Sequence, residues 1–161
     1  LKQIKIGKRL DFIEKQLREF YSPLLGRRKY IRAKSEFRLK VETISGRQWK
    51  ENAAKGVTQS VESVDKEIEY NNKQLNEDFL PLYREMLTIF RDNYWLAEPE
   101  TRQFYNELVE YVEGWNRWKA EGVTAETMQE IGHSEEKLKP LYDELEKRTD
   151  ILRSELSQKY Q

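Results

Sequence analysis

Apolar residues recur along this chain in steps of three and four, and that spacing constrains its fold more than any other feature. Leu10, Ile13, Leu17, Phe20, Leu24 and Ile31 share one face of a helix, and Phe37, Val41 and Ile44 continue the stripe. A second stripe runs Val57, Val61, Val64, Ile68, Asn71, Leu75, Phe79, Leu82, Met86, Ile89. A third holds Phe104, Leu108, Tyr111, Trp115 and Trp118, widened by Tyr105, Val109 and Val112. The last places Leu138, Leu141, Leu145, Leu152 and Leu156 inward. No run of alternating β-branched residues marks a strand. The stripes predict an all-α fold, an antiparallel helical bundle of about four main helices over 8–44, 57–94, 100–119 and 134–158. One domain spanning 1–161 can bury a core at this length. Charged residues make up 36%, a share that suits disorder, but 4 Trp, 9 Tyr and 6 Phe argue for a packed interior.

Local signals divide the stripes. Pro23 and Pro81 lie inside the long first and second helices and predict a kink in each, since proline removes a backbone bond and strikes the preceding turn. Ser45-Gly46 offers a stop, followed by Trp49 and an Ala-rich turn ending near Gly56. Asn71 puts a polar group where the seam calls for an apolar one, either to set register or because local curvature exposes it. Pro99 opens the third helix, Glu121-Gly122 closes it, Thr124 caps a short helix that Gly132 breaks, and Ser134 caps the last. Lys15-Gln16-Leu17 to Pro23-Leu24 matches Lys73-Gln74-Leu75 to Pro81-Leu82, and Pro140-Leu141-Tyr142 matches Pro81-Leu82-Tyr83. Either an old duplication or the common grammar of amphipathic helices accounts for these matches.

The neutral total of 29 basic and 29 acidic residues hides an asymmetry. Residues 1–40 carry 13 Lys and Arg against 4 Asp and Glu, a net of +9, and the remainder is −9. The densest part is Arg27, Arg28, Lys29, Arg32, Lys34, Arg38 and Lys40, with Glu36 the one acid among them. Two readings stand: the basic helix lies beside acidic helices of its own domain or is simply solvated, or Arg27, Arg28, Lys29, Arg32, Lys34 and Arg38 contact an anionic membrane surface. Nucleic acid is disfavoured, because the acidic remainder would repel phosphate.

Catalytic chemistry finds little to work with. The chain has no cysteine, which excludes disulfides, thiolate metal sites and a cysteine nucleophile. Glu130 and the single histidine, His133, have the Glu-x-x-His spacing of di-iron bundles, but such sites need a second such motif. A lone histidine at a helix boundary reads as a cap or surface residue. Paired acids such as Glu67/Glu69 and Glu135/Glu136 fall on polar faces, and the seven glycines form no phosphate-cradling loop. No catalytic residue, metal ligand or cofactor is assigned.

Gln16-Leu17-x-x-Phe20-Tyr21-x-Pro23-Leu24, Phe79-Leu80-Pro81-Leu82-x-x-x-Met86 and Trp118-Lys119-x-Glu121-Gly122 resemble landmarks of a group of uncharacterised bacterial proteins. Members of that group carry one N-terminal membrane-spanning segment followed by a helical domain. The resemblance implies an anchor preceding Leu1, which is consistent with a chain that opens without methionine. It also implies a place on the cytoplasmic face of the inner membrane; without the anchor the expectation is a cytoplasmic protein. The function expected is a non-enzymatic interaction or scaffold domain, with a protein partner or self-association. The alternative is a small-molecule-binding or hydrolytic domain with an aromatic pocket between proline-kinked helices.

Overall fold

In the computed structural model the described residues are 1–58 and 61–159, with Lys159 described by its backbone alone. They are all-α, of the helical-bundle class, with four main helices and no strand among them. The first runs through α1 (Lys2–Gln16), a π turn at Leu17–Tyr21 and α2 (Ser22–Ala54). The second comprises α3 (Val61–Gln74), a π turn at Leu75–Phe79 and α4 (Leu80–Asp92). The third is α6 (Tyr105–Lys119), preceded by the short α5 (Pro99–Arg102). After α7 (Ala125–Ile131), the fourth is α8 (Lys139–Lys159).

The predicted kinks at Pro23 and Pro81 are not seen, and the chain passes both prolines in continuous helix. In each case the five residues ending two positions before the ring form a π turn, in which Ser22 N–H bonds Leu17 O and Leu80 N–H bonds Leu75 O. The wider turn gives the pyrrolidine room beside the carbonyl it would otherwise strike, so the strain is absorbed without a bend. Both π turns hold the same place relative to their proline, so the first two sequence matches extend to backbone conformation. Pro140 does not share it: a 3-10 turn at Glu135–Leu138 precedes it, and it sits in the first turn of α8. The kinks fall instead in the third and fourth helices, at Gln103-Phe104 and at that 3-10 turn.

Helix ends follow chemistry that the sequence announces unevenly. Ser45-Gly46 does not stop α2: the helix formers beyond it outweigh a glycine cost of about 1 kcal/mol. Gly56 does, at φ +81°, where Val57 N–H reaches Asn52 O at 2.8 Å. The same closure ends α6, but with Glu121 at φ +56° and Gly122 N–H on Arg117 O, and ends α7 at Gly132. Thr124 caps α7 through Thr127 N–H at 3.1 Å, and Ser134 caps the 3-10 turn through Glu136 N–H. The predicted start of the second helix at 57 adjoins Gln59 and Ser60, which lie outside the described residues.

The chain divides into two compact units, Leu1–Arg27 with Tyr83–Gln161, and Arg28–Leu82. The first holds an aromatic core: Phe20 meets Phe90 edge-on at 5.0 Å and Tyr21 at 4.7 Å, and Phe90 contacts Tyr105 at 5.1 Å. Leu10, Ile13, Leu24, Met86, Leu108, Leu138, Leu141, Leu145 and Leu152 complete it, as their stripes predict. The second unit is a hairpin of α2 and α3. Its buried apolar residues are Ile31, Phe79 and Leu80, among those described, all at one end.

Candidate interaction surface

Beyond that end, the stripes that predict burial do not deliver it. Phe37 is 67% exposed, Val61 76% and Ile68 53%, and Val41, Ile44 and Val64 are also exposed. Scaled by ordinary side-chain areas, these six together leave about 600 Å² of apolar surface in water, as much as the largest single patch on a typical monomer. The reason is a seam that does not close. Between the helices runs a groove of about 520 Å³ lined by Ala33, Phe37 and Val41 of α2 and Glu67, Tyr70 and Asn71 of α3, with Lys34, Arg38 and Gln74 beside them. Ile44, and Ile68, Val64 and Val61, continue the lining faces at helical spacing. Asn71 is half-buried within this lining, at the seam position its spacing predicts.

One polar clasp holds the hairpin at its buried end. Lys34 Nζ lies 2.6 Å from Asp78 Oδ2, Tyr30 O–H donates to the same carboxylate at 3.0 Å, and the Lys34 ammonium sits 4.5 Å from the Tyr30 ring centre. Hydrogen bonding to Asp78 raises the Lys34 ammonium above its ordinary pKa.

The basic stretch is largely satisfied within the chain. Arg27 pairs with Glu85 at 3.0 Å, Arg32 with Glu36 at 2.8 Å, Lys34 with Asp78, and Arg38 with Glu42 at 2.9 Å. Arg28 and Lys29 are each engaged by a neighbouring group as well. Two of these pairs, Arg32–Glu36 and Arg38–Glu42, are one helical turn apart, where an exposed ion pair contributes about 0.3–0.5 kcal/mol, weak enough to rearrange for a stronger anion.

Two arrangements in the first unit escape a reading of the sequence. His133 is half-buried, and its side chain is fully engaged: its ring stacks on Tyr111 at 4.8 Å and 2°, meets Trp115 edge-on at 5.4 Å, and its Nε2–H donates to the Tyr111 carbonyl at 2.8 Å. The ring fits because residue 114 is glycine, where a Cβ would lie 2.3 Å from His133 Cδ2. Beside it Tyr83 contacts Tyr111 at 4.9 Å, and burial pushes both phenols up.

The second arrangement is a buried relay. Glu98 N–H donates to Tyr21 Oη at 2.9 Å, Tyr21 lies 2.8 Å from Thr101 Oγ1, and Thr101 donates to Glu144 Oε1, which also accepts from Arg148. Because the Thr101 proton goes to the carboxylate, Tyr21 must be the donor to Thr101. Gln16, also buried, donates to Leu96 O at 2.9 Å. Every member of this network is a structural tie between helices and connections. A shallow hollow of about 390 Å³ near the first π turn, lined by Glu14, Leu17, Arg18, Ser22, Arg153 and Leu156, contains no aromatic side chain.

Among the described residues no group of three or more His, Asp or Glu could hold a metal ion, and no helix is long and apolar enough to cross a membrane. No family model, curated protein or solved structure matches the chain.

Proposed function

We propose that this chain is a non-catalytic interaction domain that docks a helical partner along the open seam of its α2–α3 hairpin. The observation that carries the reading is the set of exposed apolar residues along two helices, Phe37, Val41 and Ile44 on α2 and Val61, Val64 and Ile68 on α3, left in water beside the groove that these helices leave open. Helix-in-groove recognition needs this kind of surface, with anchors one turn apart on each wall. The scaffold role within a membrane-anchored bacterial protein belongs to the same proposal and rests on the resemblance of the landmark residues. The net +9 of residues 1–40 favours a lipid-facing side for it.

A photoreactive amino acid placed at Val41, at Ile68 or at Glu126, an exposed position of the first unit, tests docking in living bacterial cells. The expected result is discrete cross-linked species from Val41 and Ile68 and none from Glu126. Absence of adducts at both seam positions, or equal labelling at all three, would defeat the proposal.

A further inference from the structure

The charges flanking the open seam differ in sign between its two walls. On α2 the residues beside the apolar stripe include Arg38, Lys40 and Arg47; on α3 they are Asp65, Glu67 and Glu69. The imbalance is general to the hairpin: 28–54 carries 8 basic and 3 acidic residues, 61–82 carries 2 and 6. The hairpin does not spend this complementarity on itself. Arg38 and Arg47 pair along their own helix with Glu42 and Glu51, and among the described residues Lys40, Asp65, Glu67 and Glu69 make no ion pair.

We infer that the seam is closed by the same seam of a second copy of this chain, giving a two-fold four-helix bundle. This rests on the docking reading above and names its occupant. A two-fold axis lays the basic wall of each copy against the acidic wall of the other, so one set of residues satisfies both contacts. A single helix from an unrelated protein would have to be acidic on one flank and basic on the other. Each wall carries three exposed apolar residues at helical spacing, Phe37, Val41 and Ile44 on α2 and Val61, Val64 and Ile68 on α3, so each copy offers the other two stripes of equal number. Covering about 600 Å² on each copy removes on the order of 1,200 Å² in all, the lower bound of a specific interface. Asn71, a polar residue within the stripe, is placed to set the register, as a single seam asparagine does in coiled coils.

Sedimentation of the full chain between about 1 and 500 µM should show a reversible dimer with a dissociation constant on the order of 1–100 µM, suited to an interface of this size. An all-acidic hairpin (Arg38→Glu, Lys40→Glu, Arg47→Glu) and an all-basic one (Asp65→Lys, Glu67→Lys, Glu69→Lys) should each weaken self-association at least tenfold. An equimolar mixture of the two should recover the dimer. Ile68→Asp, at an exposed position, keeps the helix content by circular dichroism and should weaken the dimer to the same extent, so loss of fold cannot stand in for loss of contact. Two outcomes would overturn the inference: a wild-type monomer throughout that range, or a dimer indifferent to all three variants. A monomer that still gives seam adducts in cells would sink the second copy alone; loss of the adducts would sink docking itself.

Discussion

Gly114→Ala is a substitution whose sign depends on one neighbour. In the interior of a helix, replacing glycine by alanine ordinarily stabilises by about 1 kcal/mol, because the unfolded chain loses freedom. In α6 the added methyl would stand 2.3 Å from Cδ2 and 2.4 Å from Nε2 of His133, more than 1 Å inside ordinary contact. The ring must leave, and with it go the 2.8 Å hydrogen bond to the Tyr111 carbonyl and the face-to-face stacking on Tyr111. Each loss costs about 1 kcal/mol, and exposure of the ring's place against Trp115 adds to them. After the helix-propensity gain, the net is a destabilisation of about 1–2 kcal/mol, or a fall in Tm of about 2–8 °C for a chain of this size. In a His133→Ala background the obstacle is gone, and the same change should stabilise by about 1 kcal/mol. The coupling across this double-mutant cycle is therefore about 2–3 kcal/mol. Urea unfolding followed by tryptophan fluorescence measures all four corners. If Gly114→Ala stabilises both backgrounds equally, the close approach of His133 to α6 is wrong.

The remaining expectations concern other parts of the chain. Tyr21→Phe strands the Glu98 amide and breaks the chain of donors to Glu144, so unfolding should become easier by about 1–3 kcal/mol; a neutral effect would dissolve the relay. Tyr21, Tyr83 and Tyr111 have phenols raised above the ordinary value near 10, mainly by burial. Their stabilising contribution is complete below pH 10 and is lost as pH rises, because the unfolded chain then releases protons the folded one keeps. Absorbance at 295 nm should show these three ionising only together with alkaline unfolding, and their smooth titration in the folded protein would contradict the packing. Glu121 holds φ +56° at the end of α6, so Glu121→Gly should raise stability by about 1 kcal/mol, read from the urea midpoint. Changing Arg27, Arg28, Lys29 and Arg32 to Glu should abolish any excess of binding to anionic over neutral liposomes; wild-type protein that binds the two equally removes the lipid-facing side of the proposal.

Much of the fold is legible in residue order. The apolar face of the fourth helix, the Thr124 cap, proline in the first turn at Pro99 and the end of α6 near Gly122 follow from short-range chemistry that needs no tertiary partner. The prolines were misleading because periodicity registers the missing amide but not the π turn that accommodates it. Gly46 misled for a related reason: a stop signal acts only when the residues beyond it favour leaving the helix. The buried relay was invisible, since Gln16, Tyr21, Thr101 and Glu144 are brought together by packing across long sequence separations. Gly114 carried a faint signal, a glycine set within an aromatic helix face, but nothing in its spacing points to His133.

What the sequence determined alone is the helical class, because a three-and-four repeat can be buried only by a helix, and the exclusion of cysteine chemistry, because the residue is absent. It also set the opposite charges of the two hairpin walls. Tertiary structure decided which stripes became core. Phe20, Met86 and Leu145 found partners on every side, while Phe37, Val61 and Ile68, equally apolar and equally well spaced, face an open seam. Periodicity records that a helix has an apolar face; only the positions of its neighbours decide whether the chain itself covers that face.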